Sequence, residues 1–295
     1  MKLKRISRAD RALDVTLYVL LGLVIVICAY PVYFILLASV SDATYVNSGE
    51  LLLYPKGFHL EGYKFVFRND KLLVGYRNTI FYTVAGTLLG LFASLSAGYS
   101  LSRRDLPGRG LAMFLLVFTM YFSGGLIPTY LVVKSLGLLN TRAVLIILGS
   151  VSAYNIILIR TFFMSNIPNE LQEAAFIDGC GNIRFFVTIA LPLSTAIIAV
   201  IGLYLAVGYW NSYFTALIYV SDRSKSPLQI YLREILMANE KVSDIEDGEL
   251  AGQYMQMLQV VKYAVIVVAT LPVMCIYPFL QKYFVKGVMI GALKG

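Results

Sequence analysis

The sequence predicts an all-α membrane protein with six transmembrane helices, and three observations carry that expectation. Hydrophobic residues make up 58% of the 295-residue chain and charged residues only 14%. The mean hydropathy is +0.73, well above the range of soluble globular domains. The apolar residues are gathered into six long uncharged runs rather than spread as amphipathic stripes. Each run approaches or exceeds the roughly 20 residues that cross a hydrocarbon core as a helix. A helix also satisfies its backbone groups within one segment, as lipid requires.

Residues 1–14 hold the basic, weakly amphipathic "ISRADRALD" and are expected to form a short cytoplasmic interfacial helix. The first run, Val15–Val40, is too long for the apolar region of a signal peptide, and no small-x-small cleavage site closes it, so it is expected to remain as a span. Residues 41–77 follow as an outside segment whose "FHLEGYKFVFRND" is aromatic enough to fold onto something. The second run, Asn78–Ser102, carries Gly86, Gly90, Ser94 and Gly98 at every fourth position. Those small residues share one helix face and let another helix approach closely. Leu111–Val133 is the third run, and Ala143–Ile159, the shortest, is flanked by Arg142 and Arg160, whose stems can reach the headgroups. The fifth run, Phe185–Ser221, exceeds one crossing, and Pro192 is expected to separate an interfacial helix from the span proper. Residues 222–262 form a second outside segment with an acidic "SDIEDGE" at Ser243–Glu249; Tyr263–Gln281 is the last run and 282–295 a tail.

Basic residues near span ends set the orientation. Lys2, Lys4, Arg5, Arg8 and Arg11 fall on one side with Arg103, Arg104, Arg109, Arg160, Arg184, Lys282, Lys286 and Lys294. That side is assigned as cytoplasmic, with both termini on it. Basic residues facing an anionic leaflet account for the net charge of +8, so lipid is an expected partner and nucleic acid is not. Cys28 and Cys275 lie in apolar runs and Cys180 in a cytoplasmic loop, which argues against a disulfide framework.

Polar and aromatic groups within the runs are candidates for a wet pathway, because an amide in hydrocarbon is costly unless it faces protein or water. They are Tyr82, Tyr99, Tyr121, Tyr154, Asn155, Trp210, Asn211 and Tyr213. "YNI" at Tyr154–Ile156 and "GYWNSYF" at Gly208–Phe214 join amides to rings, a combination that suits sugar faces and hydroxyls. Interfacial belts and helix packing use the same residue types. Enzyme chemistry has no motif here: the sequence lacks GxxxxGK[ST], HExxH and GxSxG, and His59 is its one histidine. No catalytic or metal-ligating residues are assigned, and no cofactor is expected on this chain. The runs also lack the Asp or Glu that proton-coupled carriers keep in the membrane. Energy for transport is therefore expected from outside the chain; an autonomous channel or secondary carrier for small polar solutes is the alternative.

Between the fourth and fifth runs stands "SNIPNELQEAAFIDG". Asn166 offers a cap, Pro168 suits the first turn, Glu170 and Glu173 lie near the positive helix end, and Gly179 is a left-handed stop. The expected helix has about three turns, with Leu171, Ala174, Ala175 and Asp178 on one face whose small centre admits another surface. Asn182 is placed to cap a second helix leading through Pro192 into the fifth span, which is the geometry of a lever.

Glu173-Ala174-Ala175, three residues, Gly179, nine residues, then Ile189, Leu191 and Pro192 match the EAA---G---------I-LP signature. The loop therefore resembles that of permease subunits of bacterial ABC importers. Phe122–Thr141, "VGYWNSYFTALIYVSDRSKSPLQIYLREIL" and the tail "QKYFVKGVMIGALKG" resemble maltose-type carbohydrate permeases, in particular a branch handling complex oligosaccharides, some of them uronate-containing. The likeness is to the smaller, six-span subunit of a heterodimeric pore. It implies a type I ABC importer permease fold with a permease domain at 15–281 and a cytoplasmic coupling-helix loop at 164–186. It further implies that a helix at about Pro168–Asp178 docks on a cytoplasmic ATPase through Glu173, Ala174, Ala175, Asp178 and Gly179, with a tail contact at Lys286 and Gly287. The implied partners are a second permease subunit, two ATPase subunits that hold ATP and Mg, and an extracytoplasmic solute-binding protein at the bacterial cytoplasmic membrane. The implied function is ATP-driven uptake of an oligosaccharide.

Overall fold

In a computed structural model the apolar runs fold as helices, and the described residues, 8–50, 53–242, 258 and 260–276, contain no strand. Lys286, Gly287 and Ser243–Glu249 lie outside them. The chain divides into two compact units, one of the described residues up to Asn69 with those between Glu234 and Thr270, the other from Asp70 to Arg233 with residues 271–276.

In the first unit, α1 (Arg8–Ser39) runs through Pro31 as one helix, so residues 8–14 continue the helix of the first apolar run rather than forming a separate one. Its side chains from Val15 to Ile27 are exposed within the chain, which leaves a surface suited to lipid or to another membrane protein. Asp42 caps α2 (Ala43–Asn47), accepting the Thr44 N–H at 2.8 Å. That bond holds the Asp42 carboxyl below its usual range. The aromatic segment "FHLEGYKFVFRND" forms α3 (Glu61–Arg68), and it does fold onto its own unit. Gly62 lies against Val260 and Ala264 of the apolar helix Val260–Ile276, and the Tyr63 and Ser39 hydroxyls meet at 2.8 Å.

The second unit holds α4 (Asp70–Ser102), α5 (Arg109–Tyr121), α6 (Leu126–Ser135), α7 (Arg142–Ile147), α8 (Ala153–Asn166), α9 (Asn169–Ile177), α10 (Asn182–Phe185), α11 (Leu191–Leu193), α12 (Thr195–Trp210), α13 (Phe214–Tyr219) and the start of α14 (Leu228–Val242). The small ridge of α4 is buried at Gly86, Gly90, Ser94 and Gly98, as its four-residue spacing predicts. Two helices use it. α12 sets Tyr209 against Gly86 and Leu205 against Gly90, and α8 sets Ile159 against Gly98. One core cluster gathers Leu95, Tyr99, Ile159, Phe163, Ala175, Phe185 and Ile201. Another gathers Tyr82, Val144, Leu145, Ala216, Tyr219 and Ile230.

Three apolar runs of this unit are not straight rods. α5 and α6 meet at 116°, because Gly124–Gly125 interrupts the third run and Gly125 takes a left-handed φ of 84°. The fourth run is divided between α7 and α8. The intervening turn places Gly149 against the Tyr209 ring, whose hydroxyl donates to the Ile146 carbonyl. In the fifth run a π-helical stretch, Phe186–Ala190, precedes Pro192, and the path bends by 83° before α12. The break falls at Ser194, two residues past the proline expected to mark it. By length and composition α1 and α4 are each long and apolar enough to cross a membrane, and each bent pair qualifies only as a pair.

Candidate coupling site

α8 ends at Asn166, whose Nδ2 donates back to the Phe162 carbonyl at 3.0 Å. Asn166 is therefore occupied by its own helix, and Pro168, with extended ψ of 144°, stands before α9 instead. The same correction applies at Asn182, which is the first residue of α10 with Gly181 as the cap. At the far end of α9 the expectation holds. Gly179 has φ +77°, its N–H donates to the Phe176 carbonyl at 3.0 Å, and the Cys180 N–H donates to Ala175 at 2.9 Å. These paired bonds satisfy carbonyls that a helix end otherwise leaves open.

α9 has two unlike sides. Ala175 is buried in the cluster of Leu95, Tyr99, Ile159 and Phe185, so it does not share an open face with Leu171, Ala174 and Asp178, which are exposed. The reason is angular: successive helix residues are about 100° apart, and Ala175 sits at the edge of that face, where it turns into the core. The open side also presents Glu173 and, unforeseen from the motif, Ile177 at 87% exposure, with Ile183 on α10 at 81%. Two isoleucines thus stand exposed beside carboxylates on this side. Their signal in the sequence was an apolar residue on the polar side of a short amphipathic helix.

The candidate pathway residues separate by environment. Tyr82, Asn155 and Trp210 are buried, whereas Tyr121, Tyr154, Asn211 and Tyr213 are exposed. Tyr121 and Tyr154 stand on α5 and α8, apart in sequence from Trp210, Asn211 and Tyr213, which share the end of α12 and the turn after it. Trp210 meets Tyr76 edge-on at 6.1 Å, and Asn211 Nδ2 donates to the Val207 carbonyl at 3.0 Å. The Tyr82 hydroxyl donates to the Lys225 carbonyl at 2.7 Å. Beside it Asn78 Nδ2 donates to Ser224 and Ser226 carbonyls at 2.8 and 3.0 Å, and the Leu228 N–H donates to Thr79 Oγ1 at 2.8 Å. Asn78, Thr79 and Tyr82 thus hold the segment 224–228 onto α4, a role that residue type alone did not disclose. Asp222 lies just before this segment; the Ser224 hydroxyl, then the Lys225 ammonium, hold its carboxyl below the usual range. Tyr82→Phe should lower stability by about 0.5–1.5 kcal/mol and leave the range of transported solutes unchanged, as measured by thermal unfolding in detergent and by uptake. A changed solute range would return Tyr82 to the pathway.

Apolar helices, two of them long enough to cross a membrane, with no strand among the described residues, define an all-helical membrane protein. No family model matches the chain. It is 43% identical over 286 residues to the polygalacturonan/rhamnogalacturonan transport system permease protein YtcP of Bacillus subtilis, across 97% of this chain and 99% of that protein. It is 30% identical to the melibiose/raffinose/stachyose import permease protein MelC of the same species, across 98% and 100%. A chain from the crystal structure of a bacterial ABC transporter involved in the import of the acidic polysaccharide alginate matches it with a TM-score of 0.85 at 33% identity, covering 96% of this chain and 100% of that one. This chain belongs to the permease family of ABC sugar-transport systems.

Proposed function

We propose that this chain, with a second permease subunit, forms the membrane pathway of an ATP-driven importer of uronate-containing oligosaccharides. The observation that carries the reading is the two-sided α9: Glu173, Ala174, Ile177 and Asp178 are open, while Ala175 is seated in the core shared by α4, α8 and α12. Two cytoplasmic ATPase subunits hold ATP and Mg and grip the open side, within the loop 164–186. Their closure displaces α9, Ala175 and Phe185 carry the displacement into the long helices, and the bend at Ser194 lets α12 change direction. An extracytoplasmic binding protein delivers the sugar on the far side. Both termini are cytoplasmic, and the tail 282–295 meets the ATPases through Lys286 and Gly287.

The substrate class rests on the relatives and on charge. YtcP is named for polygalacturonan and rhamnogalacturonan and the structural neighbour for alginate. Here Arg233 lies over the exposed Tyr213 ring at 5.6 Å and Arg142 over exposed Phe81 at 6.0 Å. No described carboxylate pairs with either arginine. A ring that stacks on a sugar face beside a guanidinium suits a uronate. In the assembled complex, oligouronates should stimulate ATP hydrolysis and uptake more than neutral oligosaccharides of equal length. The single variants Arg142→Gln and Arg233→Gln should each reduce oligouronate uptake about tenfold, the loss of one charge-assisted contact. Equal stimulation by both sugar classes would defeat the acidic assignment while leaving the permease role intact.

A further inference from the structure

We propose that Arg103 is a positioning residue that ties α9 directly to α4, so that motion of the loop helix reaches the spanning helices through this contact as well as through the seated Ala175 and the covalent path through α10 and α11. The proposal rests on the reading of α9 as the coupling helix. Arg103 is the residue immediately after α4, and its side chain is only 12% exposed. Its Nε donates to Asp105 Oδ1 at 3.1 Å and its Nη2 to Oδ2 at 3.3 Å. A bidentate carboxylate of this kind fixes the plane of the guanidinium as well as its place.

The guanidinium carbon stands 5.5 Å from the centre of the Phe176 ring, and Phe176 is on α9, beside Ala175. Phe176 meets Phe185 edge-on at 6.4 Å, so the stack continues into the core. The other terminal nitrogen, Nη1, is buried without a hydrogen-bond partner, as is the Tyr99 hydroxyl one turn earlier on α4. An unpaired buried donor is costly, and the cation–π contact to the ring favours keeping the guanidinium in place. From the other side Arg160 of α8 donates its Nε to the Leu101 carbonyl at 3.1 Å, fastening the same end of α4 to α8. A cleft of about 370 Å³ opens next to the stack, lined by Arg103, Asp105, Met164, Gln172, Glu173 and Phe176. Across that open space the Arg103–Phe176 stack is the stiff contact, and a tilt of α9 acts on α4 through it.

The test uses the assembled complex, with its ATPase and binding protein, in proteoliposomes, and reads sugar moved per ATP hydrolysed. Phe176 is 38% exposed, so Phe176→Leu and Arg103→Leu are each expected to lower that ratio about threefold, the scale on which a cation–π contact to a partly exposed ring shifts an equilibrium. The double variant should be no worse than either single one, and Phe176→Tyr, which keeps the ring, should retain the ratio. A purely structural loss would reduce the amount of complex and leave the ratio alone. Because Arg103→Leu can disturb the loop, Phe176→Leu decides: an unchanged ratio there, or a loss as large in Phe176→Tyr, overturns the link. Gly179→Trp run in parallel separates the two readings. Normal uptake by that variant defeats the coupling role of α9 and the link with it, whereas loss in Gly179→Trp with a normal ratio in Phe176→Leu defeats the Arg103 link alone.

Discussion

Replacing Gly179 with tryptophan is expected to abolish sugar uptake while the chain still inserts and folds. Gly179 has φ +77°, and a side chain built there meets nothing within 4 Å in this chain. The cost inside the molecule is then confined to left-handed strain, about 1–2 kcal/mol for a residue with a Cβ. That is a fraction of the roughly 5–15 kcal/mol by which domains are stable. What the indole does enter is the open space at the end of α9, on the loop where the proposed ATPase sits. Gly179→Asn isolates the two effects, since asparagine tolerates the left-handed region and adds little bulk. Uptake should survive in Gly179→Asn and vanish in Gly179→Trp at equal membrane abundance. Wild-type uptake in both would mean that nothing docks there.

The second large effect is expected at Gly86, and it tests the packing of the pathway helices. Changing a glycine to alanine inside a helix normally gains about 1 kcal/mol in helix propensity. Here a Cβ would overlap the ring of Tyr209. That ring cannot swing aside easily, because Gly149 lies on it and its hydroxyl is held by the Ile146 carbonyl. Overpacking costs about 1–3 kcal/mol, so the overlap outweighs the propensity gain: Gly86→Ala should be destabilised, and Gly86→Leu should fail to give a folded, monodisperse chain in detergent. Gly202 is the control on α12, where a Cβ would meet Leu91 at an ordinary 3.5 Å. Gly202→Ala should match or exceed the wild type in thermal unfolding. If Gly86→Ala melted no lower than Gly202→Ala, the close approach of α12 to α4 would be wrong.

Local chemistry made much of this protein legible. The uncharged runs named it as helical and membrane-bound, because lipid leaves backbone groups few alternatives. The spacing Gly86, Gly90, Ser94, Gly98 announced a buried ridge, since period and residue size are both local properties. Gly179 announced the left-handed end of α9 for the same reason. The two cap assignments missed, because Asn166 and Asn182 each have a cap-forming side chain but lie where the backbone is already helical. Cap position follows backbone angle, and Pro168 and Gly181 have it.

The rest needed the folded chain. Whether Ala175 faces a partner or the core depends on which way a short helix is rolled against α4, α8 and α12, and spacing within α9 alone leaves that open. Tyr82 looks like a pathway group in the sequence, but it and Asn78 bond carbonyls some 143 and 146 residues away. No local pattern reports a contact of that span. The divide at Gly149 is equally non-local, since Tyr209 packs on it and bonds the Ile146 carbonyl, whereas the bends at Gly125 and Ser194 follow the glycine pair and Pro192 already visible in the chain. The sequence by itself determined which segments are helical, apolar and small. Tertiary structure decided which face each one turns inward, because burial is settled between elements and not within them.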